Sequence, residues 1–373
     1  DTQGFPLSIA SFPYPYQVRS ISSSDEYRAL ASEADFIIID QNVARLYPLE
    51  TAPRQGVYIV SATEENKTMD TVLSIIEALI DKNVSKGSKV VAIGGGIIQD
   101  LSACACALFR RGQPFIYLPT TSLGQLDSCV GAKCAMNTSR AKNIIGLFSA
   151  PREVVIPTFM VKSMPLNEHR AGLSEMLRLC LTASWQALDD YIRLFPSIAF
   201  PDSLCSAGYI EAVALSLSIK KAVVEFDEYE RDVRRSMNYG HTFGHAIEKL
   251  ADFAIPHGLG VLLGMHMANT YAFMSEVMDR EIYERVCAPI RMTIVGTELN
   301  NDVMDTLDAR MIIDQFRYDK KGDGLSVPLI LIQGPGDMIF YRYRFTSASH
   351  ILVASIEKSL VDFRAWTCNQ YQL

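Results

Sequence analysis

The sequence predicts an α/β domain with a parallel sheet, followed by a mainly α-helical domain. Up to about residue 163, short apolar runs alternate with helical patterns, and such alternation is typical of parallel sheets. Beyond that point, segments 168–195 and 206–226 carry apolar residues at helical spacing with few β-branched runs. The length of 373 residues allows two or three domains, each with its own core. We therefore place the two domains at residues 1–163 and 164–373.

The predicted strands of the first domain share one composition. Each is apolar throughout rather than alternating, which is typical of a parallel sheet covered on both faces. In chain order the strands span residues 35–40, 57–60, 89–93, 115–118 and 154–156, with helices predicted over 69–83 and 97–109. In the second domain, residues 325–332 and 338–342 around Gly334-Pro335-Gly336 predict a hairpin or a pair of short strands.

Composition and charge limit the classes of function. Hydrophobic residues make up 49% and charged residues 21%, which excludes a disordered or collagen-like chain. The net charge of −7 provides no basic field for nucleic acid or an anionic membrane, so we expect a small-molecule partner. Residues 1–20 lack a basic segment followed by an apolar core, and no run approaches a membrane span, so we expect a cytoplasmic protein. The eight cysteines lack zinc-like CxxC spacing, which favours free thiols over disulfides.

A glycine turn predicts a nucleotide site. Gly94-Gly95-Gly96 follows a predicted buried strand directly and precedes a predicted helix, with Asp100 in its first turn. Glycines at this place let the backbone approach a pyrophosphate and leave helix N–H groups pointing at it. The GGGxxxD spacing differs from the usual dinucleotide fingerprint, so a plain turn stays an alternative. Asp40 and Asn42, where the first of these strands ends, fit either a ribose contact or an ordinary turn.

Histidines at helical spacing predict a metal site. His241 and His245 lie four residues apart, on one face of a helix, and His257 follows twelve residues later. One of the first two can bind metal while the other carries protons or contacts substrate, and the spacing does not separate these roles. Glu175 lies in an otherwise apolar helical run, where it fits either a ligand or a salt bridge to Arg178.

Polar and cationic residues predict an anion site. They cluster at loop-like positions between residues 119 and 148, and further cations follow in the second half. In an acidic protein most lysines are simply solvated, so no single lysine indicates an anion site. The site is indicated because these cations occur together with the glycine turn, the histidines and the carboxylate. The residues are Thr120, Thr121, Asp127, Ser128, Lys133, Asn137, Lys142, Asn143, Lys220, Arg234, Lys320 and Lys321.

Taken in order, these motifs resemble the sugar phosphate cyclases, and most closely the 3-dehydroquinate synthase family. The similarity runs from about Asp40 to Lys321 and covers GGGxxxD, RG followed by PTT, the LDS…K…N…KN block, GLxE, KxxVVxxDE, RxxxNxGHTxGHAIE, HG and DKK. The resemblance implies an N-terminal NAD-binding α/β domain, a C-terminal α-helical metal-binding domain, and a homodimer.

The resemblance also implies a role for each matching residue. The implied metal ligands are Glu175, His241 and His257, and the implied metal is zinc or cobalt. His245 is implied to be a histidine near the substrate that does not bind the metal. The implied NAD-binding residues are Asp40, Asn42, Glu64, Lys67, Gly94, Gly95, Gly96, Asp100, Thr120, Thr121, Asp127 and Ser128. The implied catalytic residues are Lys133, Lys220, Arg234, Asn238 and His245. The implied substrate and phosphate residues are Lys142, Asn143, Lys320, Lys321 and Arg111, the last acting across a dimer interface.

Departures from the family pattern indicate a divergent branch. Arg178 stands where the family usually has lysine, and Leu259 follows His257-Gly258 where the family has glutamate. GGGIIQD differs from the commoner GGGVxGD, and GAKCA replaces GGKTA.

The resemblance implies NAD- and metal-dependent cyclisation of a seven-carbon keto-acid phosphate to 3-dehydroquinate or a close analogue, with loss of phosphate. This is a step of the shikimate pathway in aromatic amino acid biosynthesis. Arg234, Asn238 and His245 favour this substrate, because sedoheptulose 7-phosphate and glucose 6-phosphate have no carboxylate to bind. The alternatives are a cyclase for one of those sugars in secondary metabolism, a metal-dependent alcohol or glycerol dehydrogenase, and a relative that binds without turnover.

Overall fold

The computed structural model describes residues 5–50, 53–299, 301–318, 325–345 and 350–368. The chain divides into two compact units, Asp1–Met164 with Leu204–Tyr229, and Pro165–Ser203 with Glu230–Leu373. The domain boundary that we place between residues 163 and 164 stays a prediction. The compact division differs from it in one segment, because Leu204–Tyr229 groups with the first unit.

The strands and helices follow one another along the chain in the predicted alternation. The strands are β1 (Leu7–Ile9), β2 (Tyr16–Ile21), β3 (Phe36–Asp40), β4 (Gly56–Val60), β5 (Val90–Gly94), β6 (Phe115–Pro119), β7 (Lys133–Met136), β8 (Ile145–Phe148), β9 (Glu153–Pro157), β10 (Ser326–Gly334) and β11 (Asp337–Arg344). The helices are α1 (Ser24–Ser32), α2 (Gln41–Leu46), α3 (Met69–Asp81), α4 (Gly96–Leu108), α5 (Leu166–Ala183), α6 (Trp185–Ile198), α7 (Ser206–Phe226), α8 (His241–Leu250), α9 (His257–Met274), α10 (Arg280–Ile294), α11 (Asn301–Thr306), α12 (Ala309–Gln315) and α13 (His350–Cys368). Among the described residues, no helix is long and apolar enough to cross a membrane.

The first unit contains a sheet in the order β1-β2-β9-β6-β5-β3-β4. All its strand pairs are parallel except β1 with β2. Ile37, Ile38 and Ile39 of β3 are fully buried, as are Val91 and Ile93 of β5. Both faces of these strands are therefore covered, which explains why their sequences are apolar without alternation. The predicted parallel sheet is confirmed.

The carboxyl ends of the central strands lie at one edge of the sheet. Asp40 is paired with Val60 across β3 and β4, and Gly94 is paired with Pro119 across β5 and β6. In open α/β sheets, ligands bind outside the carboxyl ends of the strands. The polar residues that follow each strand therefore lie together at the edge of the sheet where a nucleotide would bind.

One part of the predicted anion loop is regular structure. Residues of β7 and β8 pair antiparallel, with Lys133 opposite Phe148 and Met136 opposite Ile145. Cys134 and Met136 are buried and alternate with more accessible neighbours, which is the burial pattern of a one-sided strand. Of the polar residues predicted at loop-like positions, Lys133 instead begins a strand, whereas Asn137, Lys142 and Asn143 lie in the loop between β7 and β8. The surrounding polar residues conceal the short alternation of β7.

The second unit is mainly helical, as predicted, and carries the β10–β11 hairpin. The predicted helical segment 168–195 is two helices, because Ser184 is extended and its Oγ accepts a hydrogen bond from Ala187 N at 3.2 Å. Helix α9 is buried along almost its whole length from Gly258 onward. It packs on both α5 and α8.

Two glycines let these helices approach backbone to backbone. A Cβ on Gly258 would lie 2.0 Å from the carbonyl oxygen of Ala171, and a Cβ on Gly264 would lie 2.0 Å from that of Gly240. Real Cβ atoms do not come so close to a backbone oxygen. Any larger residue at these positions must therefore move α9 away from α5 or α8.

We expect Gly258→Ala to destabilise the protein by about 1 to 3 kcal/mol through overpacking, and also to weaken metal binding, because it displaces the start of α9. Thermal unfolding and metal titration measure the two effects. Gly87→Ala is the matched control, since a Cβ there meets only Ser85 Oγ at 3.9 Å. A Gly258→Ala protein with wild-type stability and metal affinity would contradict the close helix packing.

Candidate functional site

Three helices of the second unit bring Glu175, His241 and His257 together. Glu175 lies in the buried middle of α5, whereas His241 and His257 are the first residues of α8 and α9. Glu175 Oε1 is 3.5 Å from His257 Nε2 and 3.9 Å from His241 Nε2. Ligand atoms around a tetrahedral zinc with bonds near 2.1 Å lie about 3.4 Å apart. The three atoms are therefore spaced almost as a metal ion requires.

The two carboxylate oxygens of Glu175 have different surroundings. Oε2 accepts a hydrogen bond from Arg178 Nε at 2.5 Å, and both side chains are buried. Oε1 is also buried but has no hydrogen-bond partner. A buried carboxylate oxygen without a partner is costly, and a cation between Glu175, His241 and His257 would satisfy it. The salt bridge to Arg178 and the metal-ligand role are therefore compatible, one on each oxygen.

Glu248 orients His257 toward Glu175. His257 Nδ1 lies 2.9 Å from Glu248 Oε1, so the hydrogen bond turns Nε2 to the side where Glu175 lies. Desolvation alone would lower the pKa of His257, but the carboxylates of Glu248 and Glu175 raise it to about 9. Without a metal the site therefore attracts positive charge. Glu248 is the last residue of the GHAIE motif, and the sequence alone indicates no role for it; partners that orient a ligand histidine are common at metal sites.

His245 belongs to the same cluster. Its ligand atom lies within 4.8 Å of those of His241 and His257, and its ring stacks on His257 with centroids 5.8 Å apart. His245 is exposed, whereas Glu175 is buried. Distance alone permits a set of three histidines. The unpartnered oxygen of Glu175 favours Glu175, His241 and His257 instead.

In the first unit, the glycine turn joins β5 to α4 at the carboxyl edge of the sheet. Gly95 is the N-cap of α4 and provides no side chain to cap it, so the first N–H groups are available to an anion. A Cβ on Gly96 would meet nothing within 4 Å, so there is open space beside the turn. Thr121 Oγ1 accepts a hydrogen bond from Gly124 N at 3.1 Å. These features fit a pyrophosphate at the start of α4.

Asp40 ends β3 and caps α2. Its Oδ1 accepts a hydrogen bond from Asn42 N at 2.7 Å, so the predicted turn role is present. Burial raises the pKa of Asp40 against the opposing effect of the N–H groups of Asn42 and Val43. Asp40 is half-buried and Asn42 exposed, which leaves both within reach of a ribose.

A polar network connects several of the predicted NAD residues with predicted substrate residues. Lys67 forms an ion pair with Asp100, and Lys67 Nζ donates to Asn143 Oδ1 at 2.7 Å. Burial raises the pKa of Asp100, and the charge of Lys67 opposes this effect. Glu64 Oε1 lies 3.7 Å from Lys142 Nζ. The structure therefore places Glu64, Lys67, Asp100, Lys142 and Asn143 in one group.

A second group surrounds the π-helical turn Gly124–Ser128. Lys220 on α7 contacts Asp127 twice, with Nζ 2.7 Å from Oδ1 and 2.7 Å from the carbonyl oxygen. Gln99 Nε2 donates to Ser128 O at 2.7 Å and Gln99 Oε1 accepts from Ser128 Oγ at 2.8 Å. Gln99 stands where GGGVxGD has its last glycine, and these bonds give it a structural role. These contacts also explain why α7 groups with the first unit.

The other predicted residues lie in different local settings. Lys133 is exposed at the start of β7, and Arg111 is exposed on the turn after α4 with a φ of 60°. Arg234 is buried in the 3₁₀ segment Val233–Asn238. Asn238 Nδ2 donates to Glu230 Oε1 at 2.5 Å. Lys320 and Lys321 lie outside the described residues.

Asn238 borders open space within the second unit. A pocket of about 300 Å³ is lined by Asn238 and by Glu230, Arg235, Thr242, Pro328, Ile330 and Phe340. Glu230 is not part of any motif in the sequence, and its backbone φ of 56° is unusual for a residue other than glycine. A ligand beside Asn238 would therefore contact both the 3₁₀ segment and the β10–β11 hairpin.

Comparison with known proteins gives consistent results for sequence and fold. The family model "3-dehydroquinate synthase N-terminal" matches residues 57–171, and "3-dehydroquinate synthase C-terminal" matches residues 172–322. The 3-dehydroquinate synthase of Shewanella frigidimarina is 32% identical over 339 residues, which cover 88% of this chain and 93% of that protein.

Two solved structures share the fold. A 2-deoxy-scyllo-inosose synthase complexed with carbaglucose-6-phosphate, NAD+ and Co2+ superposes with a TM-score of 0.78 at 23% identity, covering 95% of this chain and 99% of that one. ValA, a 2-epi-5-epi-valiolone synthase from Streptomyces hygroscopicus with NAD+ and Zn2+ bound, has a TM-score of 0.76 at 22% identity, covering 95% and 98%. The predicted fold class is confirmed. Because the two family models together match more than half of the chain and the Shewanella relative matches most of it, the chain belongs to the 3-dehydroquinate synthase family.

Proposed function

We propose that the protein is an NAD- and metal-dependent sugar phosphate cyclase. Its substrate is a seven-carbon keto-acid phosphate, and its products are inorganic phosphate and 3-dehydroquinate or a close analogue. The convergence of Glu175, His241 and His257 around an unpartnered carboxylate oxygen carries the proposal. Family membership and the glycine turn at the carboxyl edge of the sheet support it.

The metal would be zinc or cobalt, held by Glu175 Oε1, His241 and His257. When bound, such an ion supplies a Lewis acid that makes a substrate hydroxyl more acidic. Glu248 fixes the ring of His257, and Arg178 fixes the other oxygen of Glu175. Both contacts leave the ligand atoms in place before a metal arrives, which lowers the cost of binding it. His245 lies beside this set without being required by it, so it is available to carry a proton.

NAD would lie at the start of α4. When bound it supplies a hydride acceptor that is regenerated within the same turnover. The N–H groups that follow Gly95 would hold the pyrophosphate. Asp40 and Lys67 would contact the ribose groups. We propose the remaining cofactor contacts for Asn42, Glu64, Gly94, Gly96, Asp100, Thr120, Thr121, Asp127 and Ser128.

The cationic residues would bind the two acidic groups of the substrate. The buried guanidinium of Arg234 suits a two-point grip on the carboxylate, because its N–H groups are planar and fixed. We assign Lys220 to the same end of the substrate, with Asp127 holding its ammonium group. Lys133, Lys142 and Asn143 would hold the phosphate through charge-assisted hydrogen bonds, together with Asn238 and one of Lys320 and Lys321. By holding the leaving phosphate, these groups favour elimination and keep one conformer for ring closure.

We also propose a homodimer in the cytoplasm that serves the shikimate pathway. For Arg111, which is exposed on a turn, we propose the role that the family match gives it, a contact with the phosphate bound by the other protomer. Its positive φ fixes the direction of the turn.

Release of inorganic phosphate tests the proposed function. Purified protein with NAD and zinc is incubated separately with the seven-carbon keto-acid phosphate, sedoheptulose 7-phosphate and glucose 6-phosphate. We expect the keto acid to be preferred, chelator treatment to abolish release, and zinc or cobalt to restore it. Phosphate release at the full rate from metal-free protein would contradict the metal assignment, and exclusive use of a neutral sugar would contradict the substrate.

A further inference from the structure

Asn137 lies between two segments that the proposed function assigns to different ligands. The cofactor segment is residues 64–67, and the substrate loop is residues 137–144, the loop of the β7–β8 hairpin. The side chain of Asn137 contacts both. Its Nδ2 donates to Glu64 Oε1 at 2.8 Å and to Glu64 O at 3.1 Å, while its Oδ1 accepts from Asn143 N at 2.9 Å. The amide is thus used at both ends.

Lys67 connects the same two segments a second time. Asn137 N donates to Lys67 O at 2.8 Å, and Lys67 Nζ donates to Asn143 Oδ1 at 2.7 Å. The ammonium group of Lys67 also pairs with Asp100 on α4. Both the backbone and the side chain of Asn143 are therefore held by residues that contact the cofactor segment or belong to it.

These contacts help to hold the backbone of Asn143, which is in the left-handed region. Its φ is 53°, a conformation that residues other than glycine adopt seldom, although asparagine tolerates it best. The hydrogen bonds from Asn143 N to Asn137 and from Lys67 to Asn143 Oδ1 hold it there. The position of Asn143 therefore depends on how firmly the cofactor segment is held.

We propose that Asn137 is a positioning residue that couples NAD binding to the order of the substrate loop. A cofactor that engages Glu64 and Lys67 fixes the cofactor segment, and Asn137 transmits this restraint to Asn143. By reciprocity, a phosphate held by Asn143 strengthens NAD binding by the same factor. This inference rests on the proposed function, because NAD and the substrate phosphate are the two ligands that it connects.

Hydrogen exchange of the substrate loop tests the coupling without catalysis. In the wild type, NAD+ should slow exchange at the amides of Asn143 and Ile144 severalfold. Asn137→Ala should reduce this effect strongly, leaving only the part that the two Lys67 contacts transmit. Asn137→Asp is the sharper variant, because its carboxylate still accepts from Asn143 N but repels Glu64. In this variant, exchange at Asn143 in the free protein should stay as slow as in the wild type, and most of the further slowing caused by NAD+ should be lost.

Asn66→Ala is the matched control. Asn66 lies in the cofactor segment and is exposed, and its Nδ2 donates only to Ser61 O at 2.9 Å among the described contacts. This variant should keep the NAD+ effect. NAD+ that binds the wild type without changing exchange at Asn143, or an NAD+ effect of undiminished size in Asn137→Asp, would overturn this inference alone. Failure of NAD+ to bind the wild type at all would overturn the proposed function as well.

Discussion

His257→Ala is expected to weaken zinc binding by about 100-fold or more, whereas His245→Ala should leave it within a few-fold. The estimate for His257 is a lower bound, because loss of a residue that merely orients a metal ligand already costs about 10- to 100-fold. His257 Nε2 lies beside the unpartnered oxygen of Glu175. His245 is exposed, and it is not one of the three residues that converge on this oxygen, so we expect its removal to leave the zinc ligands in place.

The two histidine variants are controls for each other. Each variant removes one imidazole from the same cluster, and neither imidazole is fully buried. A general disturbance of the local structure would therefore affect zinc binding equally in both variants. Metal titration measures affinity, and phosphate release at saturating zinc measures rate. His245→Ala should lose about 100- to 10,000-fold in rate, the usual contribution of a general acid or base. If His245→Ala loses zinc as strongly as His257→Ala does, His245 is itself a ligand and the proposed set of Glu175, His241 and His257 is wrong.

Arg234→Lys is expected to lower kcat/KM for the seven-carbon keto-acid phosphate by about 10- to 100-fold, although the charge is kept. An ammonium group does not reproduce the planar two-point contact with a carboxylate, and a charge-assisted hydrogen bond contributes about 1.5 to 3 kcal/mol. The preference over sedoheptulose 7-phosphate should narrow in parallel, because that sugar has no carboxylate. Steady-state kinetics with both compounds measures the change.

Arg231→Lys is the control for Arg234→Lys. Arg231 lies three residues earlier and is exposed, whereas Arg234 is buried. The control should keep both the rate and the substrate preference. If Arg234→Lys lowers kcat/KM equally for the keto-acid phosphate and for sedoheptulose 7-phosphate, Arg234 does not bind the substrate carboxylate. The departures at Arg178 and Leu259 would then be the first positions to examine for substrate choice.

The fold of the first unit was predictable because burial on both faces leaves a direct signal in the sequence. Strands such as Phe36–Asp40 and Val90–Gly94 are apolar without interruption, and each ends at a residue with a predicted ligand role. The β7–β8 pair was not predictable in the same way. Its strands are four residues each, and only one face of β7 is buried, so polar neighbours hide them.

The metal cluster was predictable as a set of residue types but not as a geometry. Spacing placed His241 and His245 on one helix face and made His257 and Glu175 candidates, and the resemblance then selected Glu175, His241 and His257 as the ligands. The sequence does not show that Gly258 lets α9 approach α5, which brings His257 to Glu175. Nor does it show that the Glu175 oxygens divide between Arg178 and the histidines. Such partners are set by tertiary packing, which has no local signal.

Simultaneous measurement of inorganic phosphate and NADH tests the proposed chemistry most directly. If the hydride is taken and returned within one turnover, phosphate should accumulate with product while NADH stays at or below the enzyme concentration. The substrate for this measurement is the seven-carbon keto-acid phosphate, with zinc and catalytic NAD+ present. NADH that accumulates in proportion to substrate consumed, without release of phosphate, would show a dehydrogenase and contradict the cyclase assignment.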